Sequence, residues 1–190
     1  MAFKEWAVVV DALGCGEQIL ILRKGGISEE RGGFQVEHPE FFLFPTLFHE
    51  QRESVVPAGQ KRFDEIASRV SDPSIVSLEL CARVIAWREL NSLEMAGRFR
   101  GQHLWRDEVI AQRFDWGRTK QIFALALRVY QLKKKIELPM RDNYGGCKSW
   151  IELESELDVT GSEPVLDDAT FASRLKRFQG ALELTGAASA

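Results

Sequence analysis

Two of the three histidines of the chain, His38 and His49, lie in one aromatic-rich segment, FQVEHPEFFLFPTLFHE, at residues 34–50. Imidazole and carboxylate groups are common metal ligands, and Glu40 and Glu50 stand close to the two histidines in the sequence. A hairpin-like fold of the segment would bring the two imidazoles together. The other interpretation is that each histidine ends a strand and bonds to the backbone. We therefore predict a site without metal or cofactor and keep a His38–His49 metal site as the alternative.

Cationic, polar and aromatic side chains at predicted strand ends offer a second kind of chemistry. Arg23 and Lys24 follow the short apolar run ILIL, and Thr46 comes directly after FFLFP. Cations hold phosphates, and aromatic rings stack on bases at about 1–3 kcal/mol per base. We predict that one ligand-binding site collects these groups: Arg23, Lys24, His38, Thr46, His49 and Trp116.

The common catalytic and nucleotide-binding motifs are missing from the sequence. It contains no GxGxxG, GxxxxGK[ST], GxSxG or HExxH pattern. A restriction-type nuclease places a lysine two positions after a strand acid, and the acidic stretches LELCAR and IELESEL lack that lysine. These absences argue against an intrinsic nuclease and against the familiar hydrolase and nucleotide-binding classes.

Charge and cysteine content restrict the class further. The formal net charge of −3 excludes a broadly cationic nucleic-acid binder, although residues 113–135 are strongly basic with Asp115 as the one acid. Such a run is usually a solvated face.

Cys15, Cys81 and Cys147 are odd in number and widely spaced, so they form neither a disulfide framework nor a thiolate zinc site. No apolar run reaches the roughly 20 residues of a membrane span, and the start lacks signal-peptide features, so we expect a cytoplasmic protein without membrane contact.

Hydrophobic periodicity predicts a mixture of helices and strands. Apolar residues recur at helical spacing in four segments: Phe3–Leu13, Lys61–Val70, Trp105–Phe114 and Phe171–Leu182. Short apolar runs and alternating patterns predict strands at Ile19–Leu22, Phe34–Glu37, Phe41–Thr46, Ile75–Trp87 and Gln121–Leu132, with Cys147–Leu153 as a last strand or the start of a helix. Both faces of Phe41–Thr46 are apolar, so we expect that strand to be covered on both sides.

The order of these elements predicts an α+β fold, because helices and strands do not alternate as in a parallel α/β sheet. We expect a curved, mixed or antiparallel sheet, or a partly open barrel, with helices packed on it. The predicted organisation is a core domain at residues 1–155, a linker at 156–166, an amphipathic C-terminal helix at 167–184 and a disordered tail at 185–190. Asp167 or Asp168 is the expected N-cap of that helix.

Five segments, taken together and in this order, resemble an uncharacterised bacterial domain-of-unknown-function family: FKEWAVVVDAL, LILRKGGI, VEHPEFFLFPTLFHE, FALALRVYQL and YGGCKSWIEL. The resemblance covers residues 3–153 and leaves the C-terminal helix outside. It implies an association with Mrr-type restriction nuclease domains, and hence a role in restriction–modification or defence.

The layout also resembles PUA-like domains of the ASCH and EVE kind, in which a helix followed by a strand opens a small β-barrel. The segments that carry this resemblance are EWAVVVDALGCG followed by ILILRK, and LALRVYQL followed by IELP. It implies binding of RNA or of modified bases, in a pocket between the sheet and the loops that carry Arg23, Lys24, His38 and His49.

These observations lead to one main hypothesis about function and two alternatives. The main hypothesis is a non-catalytic nucleic-acid-binding module, a reader of modified bases in DNA or RNA, linked to restriction or defence and partnered by a restriction-type nuclease. The first alternative is a metal-dependent hydrolase or nucleotide-processing enzyme centred on His38 and His49. The second is a protein-interaction subunit that uses the helix at Phe171–Leu182.

Overall fold

The computed structural model describes residues 1–24, 38–146, 149–154 and 157–183. Within these residues the fold is α+β, with one mixed sheet of seven strands that does not close and six α-helices. The strands are β1 (Ala2–Trp6), β2 (Leu20–Arg23), β3 (Glu40–Thr46), β4 (Ile75–Leu90), β5 (Ile122–Pro139), β6 (Trp150–Ile151) and β7 (Glu163–Pro164). The helices are α1 (Ala7–Gly14), α2 (Glu50–Glu53), α3 (Pro57–Arg69), α4 (Leu93–Gly97), α5 (Asp107–Asp115) and α6 (Asp168–Glu183).

The strand order of the sheet is β2-β5-β4-β3-β1-β6, and β7 pairs with β5 beside β2. Neighbours β1 and β3 are parallel, whereas each other neighbouring pair within the described part of the chain is antiparallel. The α+β class and the mixed, unclosed sheet are therefore confirmed. Two long strands, β4 and β5, pair over most of their length and form the centre of the sheet.

The aromatic strand β3 is covered on both faces, as its sequence predicts. Phe41 and Leu43 belong to the larger apolar core, which also contains α1, β2 and the first half of β5. Phe42 and Phe44 belong to a smaller core with Tyr144. Successive side chains of a strand point to opposite faces, so β3 separates the two cores and contributes to each.

The helix predicted over Phe3–Leu13 is wrong in its first part. Residues Ala2–Trp6 form strand β1, and helix α1 begins only at Ala7. The apolar stripe at helical spacing is real, but β1 pairs with β3, some forty residues away in the chain, in the register Phe3 to Leu43. Pairing with a distant strand overrides the local helical pattern here.

The predicted C-terminal helix exists as α6, and Asp167 is its cap. The Asp167 carboxylate accepts hydrogen bonds from the backbone N–H of Thr170 at 2.8 Å and from its hydroxyl at 2.6 Å. Phe178 is fully buried against Phe99, with 5.2 Å between ring centroids. The helix therefore docks on the core of the same chain, and the segment predicted as a linker contributes strand β7 on the way to it.

Other predicted boundaries shift by a few residues. Helix α3 begins at Pro57, because proline fits the first helical position, and not at Lys61. Helix α5 begins at Asp107, and the segment at residues 147–153 contains the two-residue strand β6. The predicted strand Phe34–Glu37 and the tail at 185–190 lie outside the described residues.

Among the helices of the described residues, none combines the length and the apolarity that crossing a bilayer requires.

Candidate functional site

A buried carboxylate, Glu5 of β1, organises the region where several strands end. Its side chain is fully buried, and it accepts a hydrogen bond from the backbone N–H of Trp6 at 2.8 Å. Arg23, the last residue of β2, lies with Nη1 3.4 Å from Glu5 Oε2, and its Nη2 donates to Ser149 Oγ at 2.8 Å. The Arg23 guanidinium also stacks 4.8 Å from the centre of the Phe3 ring. Arg23, itself partly exposed, is thus held in place by an ion pair with a buried carboxylate.

A second cation, Arg113 of α5, lies half-buried beside this pair. Its Nη1 donates to the carbonyl of Leu22 at 2.7 Å, and its guanidinium lies between two indoles, 5.0 Å from Trp6 and 4.7 Å from Trp105. Burial lowers the pKa of Arg113 to about 10, while the charge of Glu5 opposes that shift. The group therefore remains charged at neutral pH and ties α5 to the end of β2.

Lys24 fixes the loop that follows α5. Its ammonium donates to the carbonyls of Phe114, at 2.9 Å, and of Thr119. The loop turns at Gly117, whose φ of +80° is a conformation that suits glycine. Because Lys24 bonds both ends of the loop, residues 115–119 are fastened to the end of β2.

Trp116 lies at the exposed side of this loop. Its side chain is 73% exposed, so the indole face is open to solvent although the backbone beneath it is held. Two exposed cations accompany it, Arg118 and Lys120, and Lys120 pairs with Asp115 at 3.1 Å. We call residues Asp115 to Lys120, which include Trp116, the Trp116 loop.

Thr46 and His49 lie near the end of β3. The Thr46 hydroxyl donates to the backbone carbonyl of Glu5 at 3.1 Å, which places it at the same strand end as Arg23. His49 is exposed and precedes α2, next to the exposed ring of Phe48. Thr46 therefore bonds the end of β3 to the backbone of β1, whereas His49 contributes an imidazole to the surface near the end of β3.

His38 lies before β3, at the end opposite to His49. Its ring packs edge-on against Trp150, at 4.9 Å between centroids. The seven-residue strand β3 between the two histidines is about 20 Å long and keeps their imidazoles apart. The hairpin that would bring them together is therefore not formed. In the described part of the chain no group of three His, Cys, Asp or Glu residues could hold a metal ion.

Comparison with known proteins places the chain in a family. The family described as "Domain of unknown function (DUF1802)" matches residues 2–177. The chain belongs to this family. The match extends beyond the resemblance at residues 3–153, since it also takes in β7 and most of α6. In this DUF1802 protein the C-terminal helix is therefore largely part of the family's sequence pattern.

A search of solved structures and one of curated proteins complete the comparison. A crystal structure of ASCH from Zymomonas mobilis is similar at a TM-score of 0.41 and 12% sequence identity, over 67% of this chain and 65% of that one. The DUF1802 chain thus spans somewhat less than two thirds of that protein's length, and the likeness is too low to indicate a common function. No curated protein matches.

The structure divides the six predicted site residues of this DUF1802 chain into small groups. Arg23 and Thr46 meet at Glu5, and Lys24 bonds the backbone on either side of Trp116. His38 packs on Trp150, and His49 is exposed just before α2. Sequence reasoning missed Glu5 and Arg113, the two charged residues that join β1, β2 and α5. A signal for Glu5 was present, because an acid inside the apolar stretch AFKEWAVVV is unusual unless it has a buried partner.

Proposed function

We propose that this chain is a non-catalytic module that binds single-stranded nucleic acid, with the indole of Trp116 as a stacking surface for a base. The observation that carries the proposal is an aromatic ring that is 73% exposed on a loop whose two ends are bonded to Lys24. An exposed ring on a fastened loop loses little conformational freedom on binding, and stacking on it suits any base.

The charges around Trp116 support the same proposal. Arg118 and Lys120 lie two and four residues after the indole, and both are exposed. The chain as a whole is acidic at −3, so attraction to phosphates is confined to a local surface. We expect affinity to fall as salt rises, because a few phosphate contacts release counterions.

The test compares Trp116→Ala with Phe48→Ala, which removes an exposed aromatic ring outside the Trp116 loop. Binding of short labelled DNA and RNA single strands is measured by fluorescence anisotropy at several salt concentrations. Loss of one stacked base at about 1–3 kcal/mol lowers the affinity roughly 5- to 150-fold, and Phe48→Ala leaves it unchanged. Failure of the wild-type chain to bind any strand, or equal binding by Trp116→Ala, overturns the proposal.

The finer part of the proposal is that the bound base is a modified one and that the module serves restriction or defence, with an Mrr-type nuclease as partner. This part rests on the family resemblance described from the sequence. Paired oligonucleotides with and without a base modification test the first half, and co-purification with a nuclease of that type tests the second. Equal affinity for both oligonucleotides, or no co-purification, removes the corresponding half.

A further inference from the structure

A cavity of about 540 Å³ lies between the start of α3 and the start of α5. This volume is within the range of about 300–1,000 Å³ that small-molecule sites occupy. Its apolar wall is formed by Val55, Val56, Pro57 and Trp105. The third histidine of the chain, His103, also lines it, although neither sequence reasoning nor the proposed function uses that residue.

The two walls of the cavity are joined by backbone hydrogen bonds. Val55 and Trp105 form an antiparallel bridge, the N–H of Val56 donates to the carbonyl of Leu104 at 2.9 Å, and the N–H of Arg106 donates to the carbonyl of Ser54 at 3.1 Å. These bonds fix the start of α3 and the segment before α5 against each other.

The rim of the cavity carries balanced charge. Arg100 Nε lies 2.9 and 2.7 Å from the two carboxylate oxygens of Asp107, and Arg106 Nε lies 3.3 Å from Glu108 Oε2. Two cations and two anions cancel, so a phosphate gains no net attraction there. Guanidinium and carboxylate groups nevertheless supply donors and acceptors to the edge of an uncharged polar ligand.

Two side chains of the wall carry buried, poorly bonded nitrogens, although the His103 ring also interacts with the backbone of Trp105. Neither ring nitrogen of His103, which is 8% exposed, nor the indole nitrogen of Trp105 makes a hydrogen bond of ordinary geometry within the described residues. Buried polar groups are nearly always bonded, so these nitrogens are an exception among the described residues. Burial also lowers the pKa of His103 to about 4, which leaves a neutral ring with one donor and one acceptor at pH 7.

We propose that this cavity binds a nucleobase, as a free nucleoside or as an unstacked base of a bound strand. A planar, uncharged heterocycle matches an apolar wall, and its mixed donors and acceptors match the guanidinium and carboxylate groups of the rim. Binding of an unstacked base from a bound nucleic-acid strand rests on the proposed function. The Trp116 loop lies at the other end of α5, a helix of about 14 Å, so one nucleic-acid strand can reach both the loop and the cavity.

The experiment titrates the ¹⁵N-labelled full-length chain with adenosine, cytidine, guanosine and uridine, with inorganic phosphate, and with short single strands. The indole N–H signal of Trp105 and the imidazole signals of His103 report on the cavity. Gln60→Trp places a large ring at the cavity wall, and Gln112→Trp places the same ring on the exposed surface of α5 as a control. The wild-type titration is decisive by itself if Gln60→Trp does not fold.

We expect saturable shifts of the Trp105 and His103 signals with at least one nucleoside or with a strand, an affinity at least tenfold lower in Gln60→Trp, and no change in Gln112→Trp. Shifts with strands alone identify the unstacked base as the source. Shifts with nucleosides alone identify the free compound and count against the proposed function but not the cavity. No shift with either, or a response to inorganic phosphate only, overturns the inference even if Trp116→Ala loses strand binding.

Discussion

Arg23 of β2 forms an ion pair with Glu5 of β1, and this pair joins strands from opposite sides of the sheet. Strand β2 is one edge of the sheet, and β1 lies next to β6 at the other edge. A side chain can bridge them only if the sheet curves until its two sides approach each other. The ion pair therefore reveals the curvature that the sequence predicts, in a sheet that remains open.

The first prediction concerns the stability that depends on this pair. Glu5→Gln keeps an acceptor for the N–H of Trp6 but removes the charge between Arg23 and Arg113, which leaves two poorly solvated cations without an anion. Breaking a buried pair from one side costs about 3–5 kcal/mol. Urea denaturation of the variant should show a loss of this size in the free energy of unfolding.

Two further variants keep that prediction specific. Glu53→Gln removes an exposed carboxylate that pairs with Arg52, and it should leave the denaturation midpoint unchanged. Adding Arg23→Met to Glu5→Gln should cost less than the sum of the two single changes, because one of the two cations left without an anion is removed as well. Additive losses would show that the two residues stabilise the fold separately.

The second prediction is a pH dependence that comes from His103. Desolvation lowers its pKa from 6.5 to about 4 in the folded chain, Asp107 raises it, and Arg113 and Arg100 lower it. The unfolded chain binds a proton near pH 6.5, whereas the folded chain does so only near pH 4. The contribution of neutral His103 to the unfolding free energy is fully present above pH 6.5 and is lost as the pH falls from 6.5 to 4.

His103→Gln tests this dependence, because glutamine does not titrate. Between pH 7 and pH 4.5 the wild-type chain should lose about 2 kcal/mol more unfolding free energy than the variant does. Urea denaturation at the two pH values gives the difference. A gap between wild type and variant that does not change with pH would mean that His103 titrates alike in both states.

Short-range patterns explain which elements were predictable from the sequence. The apolar runs at Ile19–Leu22 and Phe41–Thr46 correspond to β2 and β3, and the alternation from Ile75 corresponds to β4. Strand β1 was not predictable in the same way. Its state depends on pairing with β3, and no pattern within residues 2–6 carries that information.

The site was predictable only in its residue types. Arg23, Lys24 and Trp116 were identified as two cations and an aromatic ring, but Lys24 and Thr119 are ninety-five residues apart and meet only in three dimensions. The prediction for His38 and His49 relied on their proximity in the sequence. Because the extended strand β3 lies between them, the two residues are far apart in space. His103 escaped notice because a lone histidine in GQHLW has no pattern around it.

The third prediction concerns Lys24 and the Trp116 loop. Lys24→Met removes the ammonium that bonds the carbonyls of Phe114 and Thr119, so the amides of the loop should exchange with deuterium faster than in the wild type. Arg118→Met removes an exposed cation of the same loop and should leave exchange unchanged. Equal exchange in the wild type and Lys24→Met would show that other contacts hold the loop.

The last prediction separates a docked C-terminal helix from one that is available to a partner protein. Phe178 is fully buried against Phe99, so Phe178→Ala creates a cavity and should cost about 3–5 kcal/mol of unfolding free energy. Phe48→Ala, at a ring that is 62% exposed, should change it by less than about 0.5 kcal/mol. Limited proteolysis within residues 157–166 gives a second readout, because a released α6 exposes the chain before it. If Phe178→Ala neither lowers stability nor speeds cleavage, α6 contributes little to the core. That result would favour the hypothesis that this helix binds another protein.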